Sequence, residues 1–236
     1  MTVTPNPTLM SKIDDFCQLH GLAIPSMALA MSAPKYSAAT TNPSRNDKRQ
    51  RDSMTASSAA VALIPPPSSD SEQMQEVGTP LLDKWVLYAH LPNDTEWDLK
   101  SYRRVLGFNA LEQCIALAKV LPEIVVKRCM LFMMRSHIEP RWEDPLNKNG
   151  GSFSFKVSNK TLIQGWRNLM YSAVGEGIFS RPMLNSKVTG ITISPKRSFS
   201  IVKVWLTDSS NQDPNTMNEI PGLQKEGCIF KRHNAK

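Results

Sequence analysis

The sequence predicts an α+β fold with a mostly antiparallel sheet, confined to residues 78–236. Three observations carry this reading. Segments alternating with a period of two are interleaved with segments of helical periodicity. Two of the strand-like segments are close enough in sequence to form a hairpin. All five Trp lie between residues 85 and 205, where a packed core must therefore be.

Residues 1–77 contain no Trp but eleven Ser and eight Pro, with stretches such as "SSAAVALIPPPSSDSE". That composition buries too little apolar surface to offset chain entropy and predicts a mostly disordered tail. Within it, "KIDDFCQLHGLAI" has the pattern of a short amphipathic helix, either a partner-docking segment or a transient helix with no role. "DKWVLYAH" (83–90) is rich in aromatic and β-branched residues and reads as a strand, followed by the turn "LPND". "NALEQCIALAKVL" (109–121) reads as a helix opened by a capping box, Asn109 with Glu112 three residues later. In "GSFSFKVS", Phe153, Phe155 and Val157 share one face of a strand, and Ser154 and Lys156 the other. In "TLIQGWRNLMYSAVGE", Leu162, Trp166, Leu169, Met170 and Ala173 recur at helical spacing, which assigns Trp166 to the core. "KVTGITISPKRSFSIVKVWLT" reads as a hairpin with strands near 187–193 and 199–206 and a basic turn. Its second strand sets Val202, Val204 and Leu206 on a core face and Ile201, Lys203 and Trp205 on the other. A cation beside an indole is poorly tolerated in a core, so this second face is expected to line a cavity open to a charged ligand.

Charge follows the same division. The tail has six Lys/Arg against seven Asp/Glu, whereas the domain has 22 against 14. A surplus of cations on the folded part suggests an anionic partner, nucleic acid foremost, although such a surplus also serves solubility alone. Cys17, Cys114, Cys129 and Cys228 are scattered with no CxxC, which fits reduced thiols in a cytoplasmic protein, with the nucleus as a second compartment. No apolar run reaches the length of a membrane span, and the four His show no metal-ligand or nucleophile–base spacing, so neither a metal site, a cofactor nor an enzyme is expected.

The loop "IEPRWEDPLNKNGG" (138–151) carries the chemistry. Its Pro, Asn and Gly mark irregular backbone, where a large apolar side chain has no core to join. Trp142 nevertheless stands there, followed at once by Glu143, and Trp97 in "NDTEWDLK" is a second indole just beyond a turn. Each loop Trp taken singly is more often structural. Together, two such indoles can stack on a planar base and attract it further if it is cationic. An adjacent carboxylate can accept two N–H bonds from a guanine edge, and nearby cations can hold phosphates. These are the requirements for binding 7-methylguanosine triphosphate, the mRNA cap.

"TPLLDKWVLY", "IEPRWEDPLNKNGG", "GWRNLMYSAVGE" and "VKVW" together resemble the eukaryotic translation initiation factor 4E family of cap-binding proteins, from about Thr79 to the C-terminus. The resemblance implies a curved antiparallel sheet of about eight strands, with three helices on its convex side and the cap in its concave mouth. It implies that Trp97 and Trp142 sandwich the base, that Glu143 binds the guanine edge, and that Trp205 lies beside the N7-methyl group. Two phosphate-binding positions depart from the family pattern: Ser194 and Ser152 stand where Arg is expected, leaving Lys196, Arg197 and Lys203 as the available cations. The mobile loop that closes over the phosphates in the family is expected to be reduced here. On the convex side the resemblance implies a surface for a scaffold or repressor peptide, formed by Thr79, Pro80, Leu81, Trp85, Leu111, Ile115, Arg167 and Tyr171. Ile115 stands at a family Trp position, and Arg167 and Tyr171 lie near family Leu positions. Loss of an indole anchor typically costs about 2 kcal/mol or more at an interface, so a peptide of the form Y-x-x-x-x-L-hydrophobic is expected to bind poorly. Three functions stay open: a monomeric cap-binding initiation factor with a non-standard partner, a cap-binding repressor, or a generic basic RNA-binding module.

Overall fold

The computed structural model describes residues 7–19, 21–22 and 78–234, all within one compact unit. In chain order its regular elements are α1 (Pro7–Leu19), β1 (Pro80–His90), β2 (Tyr102–Ala110), α2 (Leu111–Val120), α3 (Glu123–Arg128), β3 (Met130–Arg135), α4 (Pro145–Lys148), β4 (Gly151–Ser158), α5 (Leu162–Val174), α6 (Pro182–Asn185), β5 (Val188–Pro195), β6 (Phe199–Leu206) and β7 (Ile229–Arg232). The seven strands form one sheet in the order β2-β1-β3-β5-β6-β4-β7, with every pairing antiparallel. The α+β architecture is therefore as predicted, with seven strands among the described residues against the eight expected.

Alternation decides which face is which. Phe153, Phe155 and Val157 of β4 and Val202, Val204 and Leu206 of β6 are all buried in the main core. That core lies between the sheet and α2, α3 and α5, so these three helices share one side, with Trp166 of α5 fully buried among them. The opposite face carries a separate small cluster, Phe132, Met134, Ile138 and Trp205, with Tyr88, Tyr102 and Met130 packed against it. Two distinct apolar clusters on one sheet are what strands with an apolar stripe on each face produce.

Three expectations are corrected. Residues 7–19, assigned to the disordered tail, form α1, whose Leu9, Ile13, Phe16 and Cys17 are buried in the main core against β2 and α2. The spacing i, i+4, i+7, i+8 gives that helix one continuous apolar side, which is enough to dock it. Residues 1–6, 20, 23–77 and 235–236 lie outside the described residues. Second, α2 starts at Leu111 with Ala110, which has no side-chain acceptor, at its N-cap, so only the reciprocal half of a box forms: the Gln113 side-chain oxygen accepts from the Asn109 and Ala110 N–H groups at 3.0 and 3.2 Å. Glu112 instead accepts from the Thr79 N–H (2.8 Å) and Thr79 hydroxyl (3.0 Å), tying the start of β1 to α2. Third, Trp85 belongs to no partner surface. It is 0% exposed, with the Arg135 guanidinium 5.0 Å from its ring centre on the neighbouring strand. Arg135 is itself buried and paired with Asp83 and Glu176, and it donates to the carbonyls of Val188 and Asn185.

Candidate functional site

Lateral register sets out the face opposite the helices. Directly paired residues of antiparallel strands point the same way, so the rows read across the sheet are contiguous surface. One row runs Val86, Met134, Gly190, Trp205, Ser152, Lys231; the next runs Tyr88, Phe132, Thr192, Lys203, Ser154. Trp205 is 7% exposed and donates from Nε1 to the Thr192 hydroxyl at 3.3 Å. It forms the floor of the face rather than a protruding wall.

The loop after β3 rises from this floor. Ile138 anchors it in the small cluster beside Trp205. The buried Asp144 carboxylate accepts from the Glu139 N–H (2.9 Å) and, as the N-cap of α4, from the Leu146 N–H (2.8 Å). Asn147, fully buried, donates to the carbonyls of Glu139 (3.2 Å) and Arg141 (2.9 Å). Gly150 passes so close to β6 that a Cβ there would lie 1.7 Å from the Leu206 carbonyl oxygen. The loop is thus held by buried polar bonds, while Trp142 stays 44% exposed and Glu143 points to solvent. Among the described residues no hydrogen bond or ion pair engages the Glu143 carboxylate.

The second indole stands on the other side of the face. Trp97 is 55% exposed and stacks on the buried His90, with centroids 4.0 Å apart and planes 10° from parallel. His90 Nε2 lies 2.8 Å from the Glu96 carbonyl, which fixes the imidazole as a shelf beneath the indole. Tyr102 meets Trp97 edge-on at 6.3 Å. Burial pushes the Tyr102 phenol above its ordinary range, and the Glu143 charge pushes it the same way. Tyr102 thus touches Trp97 directly and feels the charge of Glu143 from the other loop.

The predicted cations divide. Lys203 is half-buried in β6, and its ammonium is held below the ordinary lysine range by burial and then by the charges of Lys231 and Lys196. Lys196 and Arg197 are exposed in the turn between β5 and β6. The sequence reading missed Lys231 and His233. The His233 ring lies 4.6 Å from that of Trp205, and its Nδ1 is 2.7 Å from the Asn147 carbonyl, so the end of the chain is tied to the Trp142 loop. Alternation in "CIFKRH", with Phe230 inward and Lys231 outward, was the available signal. It also missed Asp144 and Asn147, whose buried bonds hold the loop.

The family model for eukaryotic initiation factor 4E matches residues 80–235. The chain belongs to that family. The Eremothecium gossypii initiation factor 4E is 31% identical over 159 residues, covering 64% of this chain and 69% of that protein. The Schizosaccharomyces pombe initiation factor 4E-2 is 27% identical over 161 residues, covering 64% of this chain and 60% of its own length. Among solved structures, a schistosome initiation factor 4E complexed with m7GpppG and 4E-BP gives a TM-score of 0.52 at 24% identity, covering 58% of this chain and 76% of that one. Ascaris suum initiation factor 4E-3 with an m2,2,7G cap gives 0.52 at 20%, covering 59% and 79%. At these identities the likeness shows a shared fold.

In this initiation factor 4E family member the helix side carries a second candidate surface. Leu111 and Ile115 of α2 and Arg167 and Tyr171 of α5 are half-buried pairs at i, i+4 spacing on two helices that pack together. Arg167 is not a bare charge there. Its Nε donates to the Ala118 carbonyl at 2.7 Å, near the C-terminus of α2, and its charge helps hold Glu123 below the ordinary carboxylate range, after the larger effect of Lys127. Thr79 and Pro80 are exposed and Leu81 half-buried at the start of β1, next to this seam through Glu112. The structure thus brings together the predicted partner-surface residues other than Trp85.

Proposed function

We propose that this protein binds the 7-methylguanosine cap of mRNA and acts in translation initiation. One observation carries the reading. Of five Trp, Trp97 and Trp142 alone are exposed, and the second is followed by a carboxylate that no described residue engages by a hydrogen bond or ion pair, on a loop pinned by buried Asp144 and Asn147. An indole pair around a methylated, positively charged guanine gains both stacking and cation–π attraction, each of order 1 kcal/mol or more. Glu143 accepts from the two N–H groups of the guanine edge, and Trp205 forms the apolar floor toward the methyl group. Lys196, Arg197 and Lys203 face the phosphates. The chain itself supplies every group this requires, so no cofactor or metal enters, and the activity is recognition without catalysis. Relatives of this fold were solved with cap analogues and with 4E-binding proteins, which supports the reading.

The partner surface supports a further distinction. With Ile115 and Arg167 in the seam between α2 and α5, a tyrosine-anchored scaffold peptide lacks its indole anchor, and a non-standard partner takes its place. The same substitution favours a second reading, a cap-binding repressor that holds mRNA without recruiting the usual scaffold. Retention on a 7-methylguanosine resin with elution by methylated but not plain GTP tests the first proposal, and non-retention points to a generic RNA-binding module. Co-purification from cells with or without a scaffold–helicase assembly separates initiation factor from repressor, and imaging tests the cytoplasmic location expected for either.

A further inference from the structure

We infer that the C-terminal strand supplies a phosphate subsite, in which Lys231 of β7 acts with Lys203 of β6 on the phosphate chain of the bound nucleotide. The inference rests on the cap reading for the ligand's identity but on independent geometry for the site. Ser152 of β4 lies between Trp205 on one side and Lys231 on the other in the same lateral row. Phe230, the neighbour of Lys231, packs edge-on against the core residue Phe153 at 5.0 Å, so Lys231 must project from the opposite face, the one that carries Trp205 and Lys203. Ser152 and Ser154 are small, so nothing bulky separates the two ammonium groups across β4.

Charge points to an anion. Among the described residues neither ammonium is engaged by a carboxylate or any other hydrogen-bond partner, although the fold pairs Lys127, Lys187 and Lys225 with acids elsewhere. Lys203 and Lys231 repel each other, and half-burial of Lys203 removes part of the water that would screen this. A like-charge pair kept unneutralised beside an aromatic floor is relieved by a ligand with several negative oxygens. Location sets which phosphate. Lys231 lies beyond Trp205 in its row, on the side of the sheet away from β2 and Tyr102, and Lys203 lies two residues along β6 from Trp205, so a base held near the two exposed indoles and over Trp205 extends its phosphates toward β6 and β7. Ser152 carries no charge, and Lys231 places one next to it from the adjacent strand.

Lys231→Ala tests this. The residue is exposed on the edge strand, so the variant is expected to fold, and Lys231→Arg should retain binding. Titrations use 7-methyl-GTP, 7-methyl-GMP, a capped oligonucleotide and inorganic tripolyphosphate. The expected result is a loss of about tenfold for 7-methyl-GTP and for tripolyphosphate, the size of one lost charge-assisted contact, with 7-methyl-GMP unchanged. An unchanged 7-methyl-GTP affinity overturns the subsite, as does a loss confined to the capped oligonucleotide, which would place Lys231 on the RNA phosphodiesters. Tripolyphosphate carries no base. If wild type binds it with Lys231 dependence yet does not prefer methylated nucleotides, the base reading fails while the subsite stands.

Discussion

Asp144 offers the sharpest perturbation, because it touches no predicted ligand position yet holds the loop that presents Trp142 and Glu143. In Asp144→Ala the N-cap bond to Leu146 N–H is lost, at about 1 kcal/mol. The charge-assisted bond to Glu139 N–H goes too, at about 1.5–3 kcal/mol. The sum is roughly 3 kcal/mol. For a folded unit of this size each kcal/mol moves the melting temperature by about 2–4 °C, so a fall of about 6–12 °C is expected. Cap affinity should fall as well, on the order of tenfold, because the loop must then be ordered by the ligand. Asp144→Asn keeps an acceptor for the cap and should lose about a third as much stability. Glu143→Gln is the contrast: no described residue bonds its carboxylate, so stability should stay within about 0.5 kcal/mol while affinity collapses. Thermal unfolding by circular dichroism, paired with tryptophan-fluorescence titration, reads both quantities. An Asp144→Ala protein that melts within about 1 °C of wild type with unchanged affinity would refute the assignment of Asp144 as the loop's anchor.

Further outcomes follow from other parts of the fold. Deleting residues 1–22 should lower the melting temperature by several degrees, and Ile13→Ala, at a position 2% exposed, should reproduce part of that loss; no change on deletion would mean that α1 does not pack. Trp97→Ala should weaken cap binding at least tenfold while leaving stability nearly intact, since more than half of the residue is exposed and His90 remains held by Glu96. Ile115→Trp should improve capture of a tyrosine-anchored scaffold peptide, whereas strong capture by the wild type would overturn the divergent-surface reading. Asp208 gives a pH signature. Burial opposes ionisation, but donation from Ser210 and Lys187 outweighs it and brings its carboxyl down to about 2. A folded pKa below the unfolded value of about 3.9 contributes stability above pH 4 that is lost as pH falls toward 2. Asp208→Asn should flatten that acid limb, and an unchanged limb would contradict the pairing.

What was legible in the sequence was whatever local periodicity determines. The alternation in β4, the hairpin of β5 and β6, and the helical stripe holding Trp166 each follow from spacing within a dozen residues, and each is in place. Trp142 could be placed outside the core because Pro, Asn and Gly surround it, and it is 44% exposed. What was missed depends on distant chain. β3 is a short continuous apolar run whose strand identity comes from pairing with β1 and β5. β2 carries a register shift against β1, which breaks its alternation. Arg135, at the end of β3, is buried because Asp83 and Glu176 meet it there, at separations of 52 and 41 residues. Trp85 faces the same way on the adjacent strand, so an aromatic near a predicted partner motif turned out to be core. The helix in residues 7–19 was visible as a pattern, but only tertiary contact with β2 and α2 distinguishes a docked helix from a transient one.

The most direct test of cap recognition is a tryptophan-fluorescence titration of the wild-type protein with 7-methyl-GTP and with GTP under identical salt. The exposed indoles Trp97 and Trp142 should be quenched on stacking, and the methylated, cationic base should bind at least tenfold more tightly than the neutral one, with Glu143→Ala abolishing the difference. Equal affinity for the two nucleotides, or an unchanged preference in Glu143→Ala, would contradict the assignment of this face as a cap-binding site.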